Sequence, residues 1–138
     1  MSHLKLQKLL CYAEAYHLAY FGKKLTNCEY EAWVHGPVCR AVFSEMKGKS
    51  LIYADMKWDG EGDPDKDVHE SLISTQLELL HSILKNLSTW TDLELEDASH
   101  SEDPWIIARK GYAPAAKCNV IIDKKLMEAY YRAEIGLA

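Results

Sequence analysis

The spacing of hydrophobic and polar residues predicts helices along most of the chain. Over residues 3–21, apolar side chains recur every three or four positions, the spacing of one face of an α-helix. These are Leu6, Leu9, Leu10, Ala13, Tyr16 and Tyr20. Lys5, Lys8 and Glu14 fall on the opposite face, and Gly22 provides a stop signal. The pattern therefore predicts an amphipathic first helix whose lysines are in solvent.

The pattern changes after the first helix. Residues 30–34 are rich in aromatic and β-branched side chains, which favours a short strand. His35 and Gly36 follow, and then Pro37, a residue well tolerated in the first turn of a helix. We therefore expect a second helix that begins at Pro37 and ends at Gly48.

The second half of the chain again has helical spacing. Residues 68–87 carry a wide apolar stripe and predict a long helix. Thr89 or Thr91 caps a short helix, Pro104 begins another, and Asp123 caps the last one. Residues 51–67 contain glycines, a proline and several acids, which predicts a loop. Residues 120–122 are apolar and β-branched and form either a short strand or a staple for the final helix.

Length and composition indicate one folded unit. The chain has 138 residues, a mass of 15.7 kDa and 48% hydrophobic residues, enough for a core without disulfide or metal cross-links. The expected architecture is a mainly α-helical single domain over residues 1–138, with five to six helices and a minor β element.

The net charge of -5 argues against a nucleic-acid-binding protein. The acids are concentrated in residues 59–67 and 92–103. They either attract a basic partner protein or only keep the surface solvated, and the sequence leaves both accounts open.

The chain shows no secretory or membrane signal. Polar residues interrupt its N-terminal apolar stretch, and no apolar run is long enough to span a bilayer, so we expect a cytoplasmic protein with no membrane partner. Its four cysteines are far apart and are expected to be reduced thiols. The short ligand spacing of a zinc site is absent, so no metal or cofactor is predicted.

Two polar clusters, residues 33–38 and 99–105, each combine a histidine, a tryptophan and a proline. Their notable residues are Trp33, His35, Gly36, Pro37, His100, Pro104 and Trp105. A histidine beside a helix start can cap the helix or bridge to another loop. We favour such a structural clasp between segments over a catalytic or binding site.

An enzyme remains the alternative from a different class. Cys39 with His35 could form a thiolate pair or half a metal site, and His100 with Glu102 or Asp103 could form an acid–base pair. A metal-dependent or hydrolase-like enzyme would use His35 and His100. No nucleophile motif or phosphate-binding glycine loop supports it, so a non-enzymatic protein is favoured.

Four ordered blocks of the sequence resemble one known family. The blocks are Leu4 to Leu18, Glu31 to Val38, Ser99 to Arg109 and Ile122 to Tyr131. Each is similar to the corresponding motif of the Panacea domain family, also known as SocA-like. Cys11 stands where that family commonly has an aromatic residue, and Ala98-Ser99 stands where Leu-Thr is common.

The resemblance implies a mainly helical antitoxin-type domain with no established catalytic site. Members of the family neutralise a cognate toxin, encoded by an adjacent gene, through direct contact. One subgroup acts as an adaptor that carries its toxin to a AAA+ protease. Many members lie on phages and mobile elements, so an accessory protein that binds a host factor is the other function compatible with the resemblance.

A protein-binding role directs attention to aromatic anchors. Tyr53, Trp58, Trp90 and Tyr112 lie outside the family blocks or beside the loops and are the candidate partner-binding residues. We expect Trp33 and Trp105 to be fixed into the fold instead.

Overall fold

The computed structural model describes residues 2–46 and 70–136. This part of the chain is mainly α-helical with one small antiparallel sheet, as predicted. Its helices are α1 (His3–Phe21), α2 (Arg40–Met46), α3 (Ser74–Leu87), α4 (Asp92–His100), α5 (Asp103–Ala108) and α6 (Lys124–Glu134), and its strands are β1 (Tyr30–Trp33) and β2 (Gly36–Cys39). The predictions for Gly48, for Tyr53 and Trp58, and for the loop over 51–67 lie outside the described residues.

Helix α1 is the centre of the fold and is buried almost all round. Thirteen of its nineteen residues are buried, and it packs against α6, α3, β2 and α4. The predicted amphipathic face is therefore wrong. Lys8 and Glu14, expected in solvent, are buried, whereas Tyr20, expected on the apolar face, is half exposed. Periodicity fails here because the helix is enclosed by neighbours on several sides.

The buried polar side chains of α1 are bonded to other segments. The Glu14 carboxylate accepts hydrogen bonds from the backbone N–H groups of Leu25 and Thr26, at 2.6 and 3.2 Å. The His17 ring bonds to the Lys23 carbonyl at 2.8 Å and to the Gln76 amide at 3.0 Å. Buried polar groups are tolerated when such partners replace water.

The chain after α1 forms a hairpin. Strands β1 and β2 pair with Trp33 opposite Gly36, which leaves Val34 and His35 as a two-residue turn. The helix predicted to begin at Pro37 is wrong at its start, because residues 36–39 form β2 and α2 begins at Arg40. Gly36 has φ +117°, a conformation open to glycine, and this directs the chain back along β1.

A third segment completes the small sheet. Ile121 forms an antiparallel bridge with Glu31, and hydrogen bonds join Val120 and Ile122 to β1. The sequence predicts either a short strand or a staple for the final helix over residues 120–122. They pair with β1 through this bridge, and Ile122, directly before the Asp123 cap, is also buried in the core cluster with Met127 of α6. The side chains of Tyr30 and Ile122 are buried within the core.

Local signals set most helix ends correctly. Gly22 ends α1 with φ +70°, Thr91 caps α4 together with Glu94, and Asp123 caps α6 through the Lys125 N–H at 2.9 Å. Within the described residues, α3 begins at Ser74 rather than at residue 68.

The predicted wide stripe of α3 is also narrower than expected. Ile83 is its one buried side chain, whereas Ile73 is 66% exposed and Leu84 is 43% exposed. Within residues 2–46 and 70–136, no helix combines the length and hydropathy needed to cross a membrane.

Candidate functional site

The two polar clusters singled out in the sequence meet in space. The indole N–H of Trp105, on α5, donates a hydrogen bond of 2.9 Å to the backbone carbonyl of Trp33, at the end of β1. The His100 ring, at the end of α4, bonds to the backbone of Val34 in the hairpin turn. The hairpin and the α4–α5 corner are therefore joined directly, which supports the interpretation of these residues as a clasp.

His100 is held in a largely apolar position. Its ring stacks on Trp105, with centroids 4.1 Å apart and an angle of 16° between the planes. Desolvation lowers the pKa of His100, and the nearby Lys8 ammonium lowers it further. Among the described residues, its Nε2 atom has no hydrogen-bond partner. Pro104, at the start of α5, is buried beside this pair.

His35 is in a different environment. It lies in the hairpin turn with about half of its side chain exposed, and its Nδ1 atom is 2.5 Å from a carboxylate oxygen of Glu96 on α4. The contact is a second link between the hairpin and α4. His35 and His100 thus each connect the same two segments, one at the surface and one inside.

Lys8 is the unexpected member of this region. Only 1% of the residue is exposed, and its Nζ atom has no hydrogen-bond partner in the part of the chain that is described. Burial lowers the pKa of Lys8 to about 8, although the attraction of Glu96 acts in the opposite direction. The ammonium lies over the α-carbon of Gly36, where a β-carbon would overlap it and would also crowd the Ser99 hydroxyl. A glycine is therefore required at position 36 by both its φ and its neighbour.

A small cavity lies beside the Lys8 ammonium. It has a volume of about 10 Å³, which is close to the minimum for one water molecule, and its lining includes Lys8, Ser99 and Glu102. Tyr12 donates a hydrogen bond of 2.5 Å to the Glu102 carboxylate. Burial raises the pKa of Glu102, while hydrogen bonds from Tyr12 and Tyr131 lower it. The lining is almost entirely apolar, and the cavity has no room for an organic substrate.

Arg109 connects this region to the C-terminal loops. Its guanidinium donates to the carbonyls of Ala32, Ala113 and Ala116, at 2.8, 3.0 and 2.6 Å, and lies over the ring of Trp105. The residue is buried. Because one rigid donor fork bonds to carbonyls of two backbone segments, Arg109 fixes the loop after α5 against β1.

The pairings required by the enzyme alternative differ from those observed. Cys39 is buried at the end of β2, whereas His35 is in the turn and contacts Glu96. Glu102, proposed as a partner of His100, bonds to Tyr12 instead. No group of three or more histidine, cysteine or acidic side chains in residues 2–46 and 70–136 is arranged to hold a metal ion.

Most acids of segment 92–103 have partners inside the protein. Asp92 accepts from the Ser2 hydroxyl at 2.7 Å, Glu94 caps α4, and Glu96 and Glu102 bond as described above. Asp97 and Asp103 are exposed. The donors to Asp92 and Glu94 are neutral and do not offset the formal negative charge of the segment.

The predicted partner-binding aromatics are exposed where the structure describes them. Trp90, after α3, is 37% exposed, and Tyr112, after α5, is 44% exposed. The two lie on different loops. Their role in binding remains a prediction, as does that of Tyr53 and Trp58 in the undescribed segment.

Sequence reasoning missed Lys8 and Arg109 as organising residues. Lys8 stands one turn before Tyr12 and directly before the apolar run Leu9-Leu10-Cys11, a position where a lysine is enclosed if the helix is central. The position of Lys8 in the sequence therefore carried a signal. Recognising it requires knowing that the segment around Gly36 packs against this lysine. Arg109 gave no local signal, since its acceptors are backbone carbonyls.

Comparison with known proteins identifies one family for this chain. The profile of the family described as antitoxin SocA-like, Panacea domain, matches residues 6–106 of the 138. No curated protein and no solved structure matches the chain. The match includes α1, the hairpin and the α4–α5 corner, which are the elements that meet at Lys8 and Trp105. This chain therefore belongs to the SocA-like Panacea antitoxin family.

Proposed function

We propose that this domain neutralises a cognate toxin protein by direct contact, in the cytoplasm. The observation that carries the proposal is the antitoxin-family match over residues 6–106. In the described structure, the polar motif residues are largely occupied by contacts within the chain, so partner binding falls to surface side chains.

Several large apolar side chains are available on that surface. The most exposed are Ile73, Leu93 and Ile121, with more than half of each residue accessible. Exposed apolar and aromatic residues are the usual energetic centres of protein interfaces, whereas scattered exposed acids contribute mainly to association rate. We therefore expect apolar contacts to carry most of the affinity for the toxin.

Co-expression with the adjacent gene tests the proposal. The adjacent open reading frame alone should arrest growth of the host, and co-expression of this protein should restore growth. Copurification of the two proteins should accompany the rescue. A neighbour that is harmless alone, or that remains toxic beside this protein, would contradict the proposal and favour an accessory protein that binds a host factor.

Delivery of the toxin to a AAA+ protease is a second, separable part of the proposal. Neutralisation by contact alone leaves the toxin half-life unchanged, whereas an adaptor shortens it. Pulse–chase measurement of the toxin in cells with and without the protease distinguishes the two mechanisms. The adaptor mechanism requires that loss of the protease restores toxicity even when this protein is present.

A further inference from the structure

The two edges of the small sheet differ in the hydrogen-bond partners of their backbone groups. The outer edge of β2 is covered, because the Gln7 side chain accepts from the Cys39 N–H at 2.9 Å and donates to the Cys39 carbonyl at 3.3 Å. A side-chain amide thus occupies the place of a neighbouring strand. At the opposite side of the sheet, β1 bonds to residues 120–122.

Residues 120–122 form an edge that is open to another strand. The Ala32 N–H donates to the Val120 carbonyl at 2.9 Å, and the Ile122 N–H donates to the Tyr30 carbonyl at 2.7 Å. This pattern makes Ile121 and Glu31 a non-hydrogen-bonded pair, so the N–H and carbonyl of Ile121 point away from β1. Within the described residues, neither group has a hydrogen-bond partner.

A groove of mixed apolar and cationic character is lined in part by residues 117–119, which directly precede this edge in the chain. It has a volume of about 540 Å³ and its lining includes the rings of Trp33 and Phe43. The ionisable side chains in the lining are those of His35, Arg40, Lys117 and Cys118, and among the described residues no carboxylate lines it.

The accessible charge of this groove is positive. The Arg40 side chain bonds to Glu31 and is 54% exposed, whereas the Glu31 side chain is only 12% exposed. Lys117 is also exposed. A segment that lies over the groove therefore contacts Arg40 and Lys117, whereas Glu31, the acid that pairs with Arg40, is largely covered.

We propose that an extended, acidic segment of the partner polypeptide pairs with the edge at Ile121 and lies over the groove at Trp33, Arg40 and Lys117. The proposal rests on the proposed function and names the surface by which it is exerted. Unpaired backbone groups of an edge strand are satisfied by an extended backbone, and an acidic segment complements the exposed cations. The Ile121 side chain, 53% exposed, supplies an apolar contact beside the new strand.

Binding of the adjacent gene product to three variants tests this surface. Ile121→Pro removes the outward N–H while leaving the bonds of Val120 and Ile122 to β1. It should weaken binding about tenfold, since one hydrogen bond and the contact of the Ile121 side chain are lost. Lys117→Glu should weaken binding severalfold, most strongly at low salt. Lys110→Glu, the same charge reversal at an exposed lysine outside the groove, is the matched control and should leave binding unchanged.

Hydrogen exchange in the complex provides a readout that needs no variant. The Ile121 amide should exchange rapidly in the free protein and become protected when the partner is bound. Tight binding by the natural protein without protection at Ile121, or with full binding by a folded Ile121→Pro variant, overturns the docking surface and leaves the antitoxin role intact. Failure of the natural protein to bind the adjacent gene product refutes both. A dimer of this chain that Ile121→Pro dissociates would show that a second copy occupies the edge, which also overturns the proposal.

Discussion

The indole N–H of Trp105 donates to the backbone carbonyl of Trp33, and this bond joins two segments that are 72 residues apart in the chain. The same indole ring stacks on His100, whose ring bonds to Val34 next to the acceptor. Neither tryptophan is fully buried. The contribution of each therefore divides between ring packing and a hydrogen bond, and the two parts can be measured separately.

Replacement of Trp105 separates these parts. Trp105→Phe retains an aromatic ring but leaves the Trp33 carbonyl without its donor, and it should lower the free energy of unfolding by about 1–2 kcal/mol. Trp105→Ala also removes the packing and should cost about 3 kcal/mol, the lower end of the range for large-to-small core changes. Denaturant unfolding measures both. Equal costs for the two variants would show that the ring contributes nothing beyond its N–H.

Gly36 and Lys8 should behave as a coupled pair. Gly36→Ala introduces a β-carbon at a positive φ and against the Lys8 ammonium, and it should destabilise the protein by about 2–4 kcal/mol. Lys8→Met shortens the side chain and removes the charge. Gly36→Ala should therefore lower the free energy of unfolding by less in the Lys8→Met variant than in the natural protein. A coupling energy of about 1 kcal/mol or more is expected from a double-mutant cycle. If the costs of the two substitutions add strictly, the Lys8 ammonium does not lie against position 36.

Lys8 also predicts a pH dependence of stability. Because burial lowers its pKa from 10.5 in water to about 8, the unfolded chain binds more protons than the folded protein between these values. The contribution of Lys8 to the free energy of unfolding therefore increases as the pH rises above 8. Below pH 8 the full cost of burying the charged ammonium of Lys8 is present. Buried thiols and phenols act in the opposite direction at high pH, because burial raises their pKa.

Comparison with Lys8→Met isolates the lysine from those groups. From pH 7 to pH 9, natural protein should gain stability relative to the variant by about 1 kcal/mol, since one pKa unit corresponds to about 1.4 kcal/mol. Unfolding free energies at several pH values in the same buffer series provide the measurement. A difference that does not change with pH would mean that Lys8 titrates normally.

Arg109 should not tolerate lysine. Arg109→Lys keeps the charge but cannot reach the carbonyls of Ala32, Ala113 and Ala116 together, and it should cost about 2–3 kcal/mol. Residues 113–116 should then become sensitive to limited proteolysis. The control is Arg40→Lys at the partly exposed Glu31 pair, which should cost less than about 1 kcal/mol. Similar costs for both variants would contradict the buried role of Arg109.

The sequence predicts those elements whose signals are local. Gly22, Thr91 and Asp123 set helix ends through hydrogen bonds within a few residues, and their roles agree with the structure. Strand β1 was also recognisable from side-chain type alone. Such features need no knowledge of what the element packs against.

The face of α1 and the start of β2 needed information from distant segments. Lys8 and Glu14 have the helical spacing typical of a solvated face, yet both are buried. Gly36 has no side chain and leaves space for Lys8. The backbone N–H groups of Leu25 and Thr26 donate hydrogen bonds to Glu14. The local signals at Pro37 are compatible with both a helix start and an edge strand. Its pairing with Ala32 in the hairpin decides for the strand. Tertiary pairing decides such cases, and a single sequence does not contain it explicitly.

The covered edge at Gln7 and the open edge at Ile121 have a consequence for engineering. The side chains that hold the fold together point inward from α1, the hairpin and α5, whereas Lys117, Asn119 and Ile121 are exposed on the extended segment beside β1. Randomising these three positions leaves the interior contacts untouched. The domain therefore offers a scaffold in which recognition can be reprogrammed by exchanging a few residues, with folding and specificity selected independently.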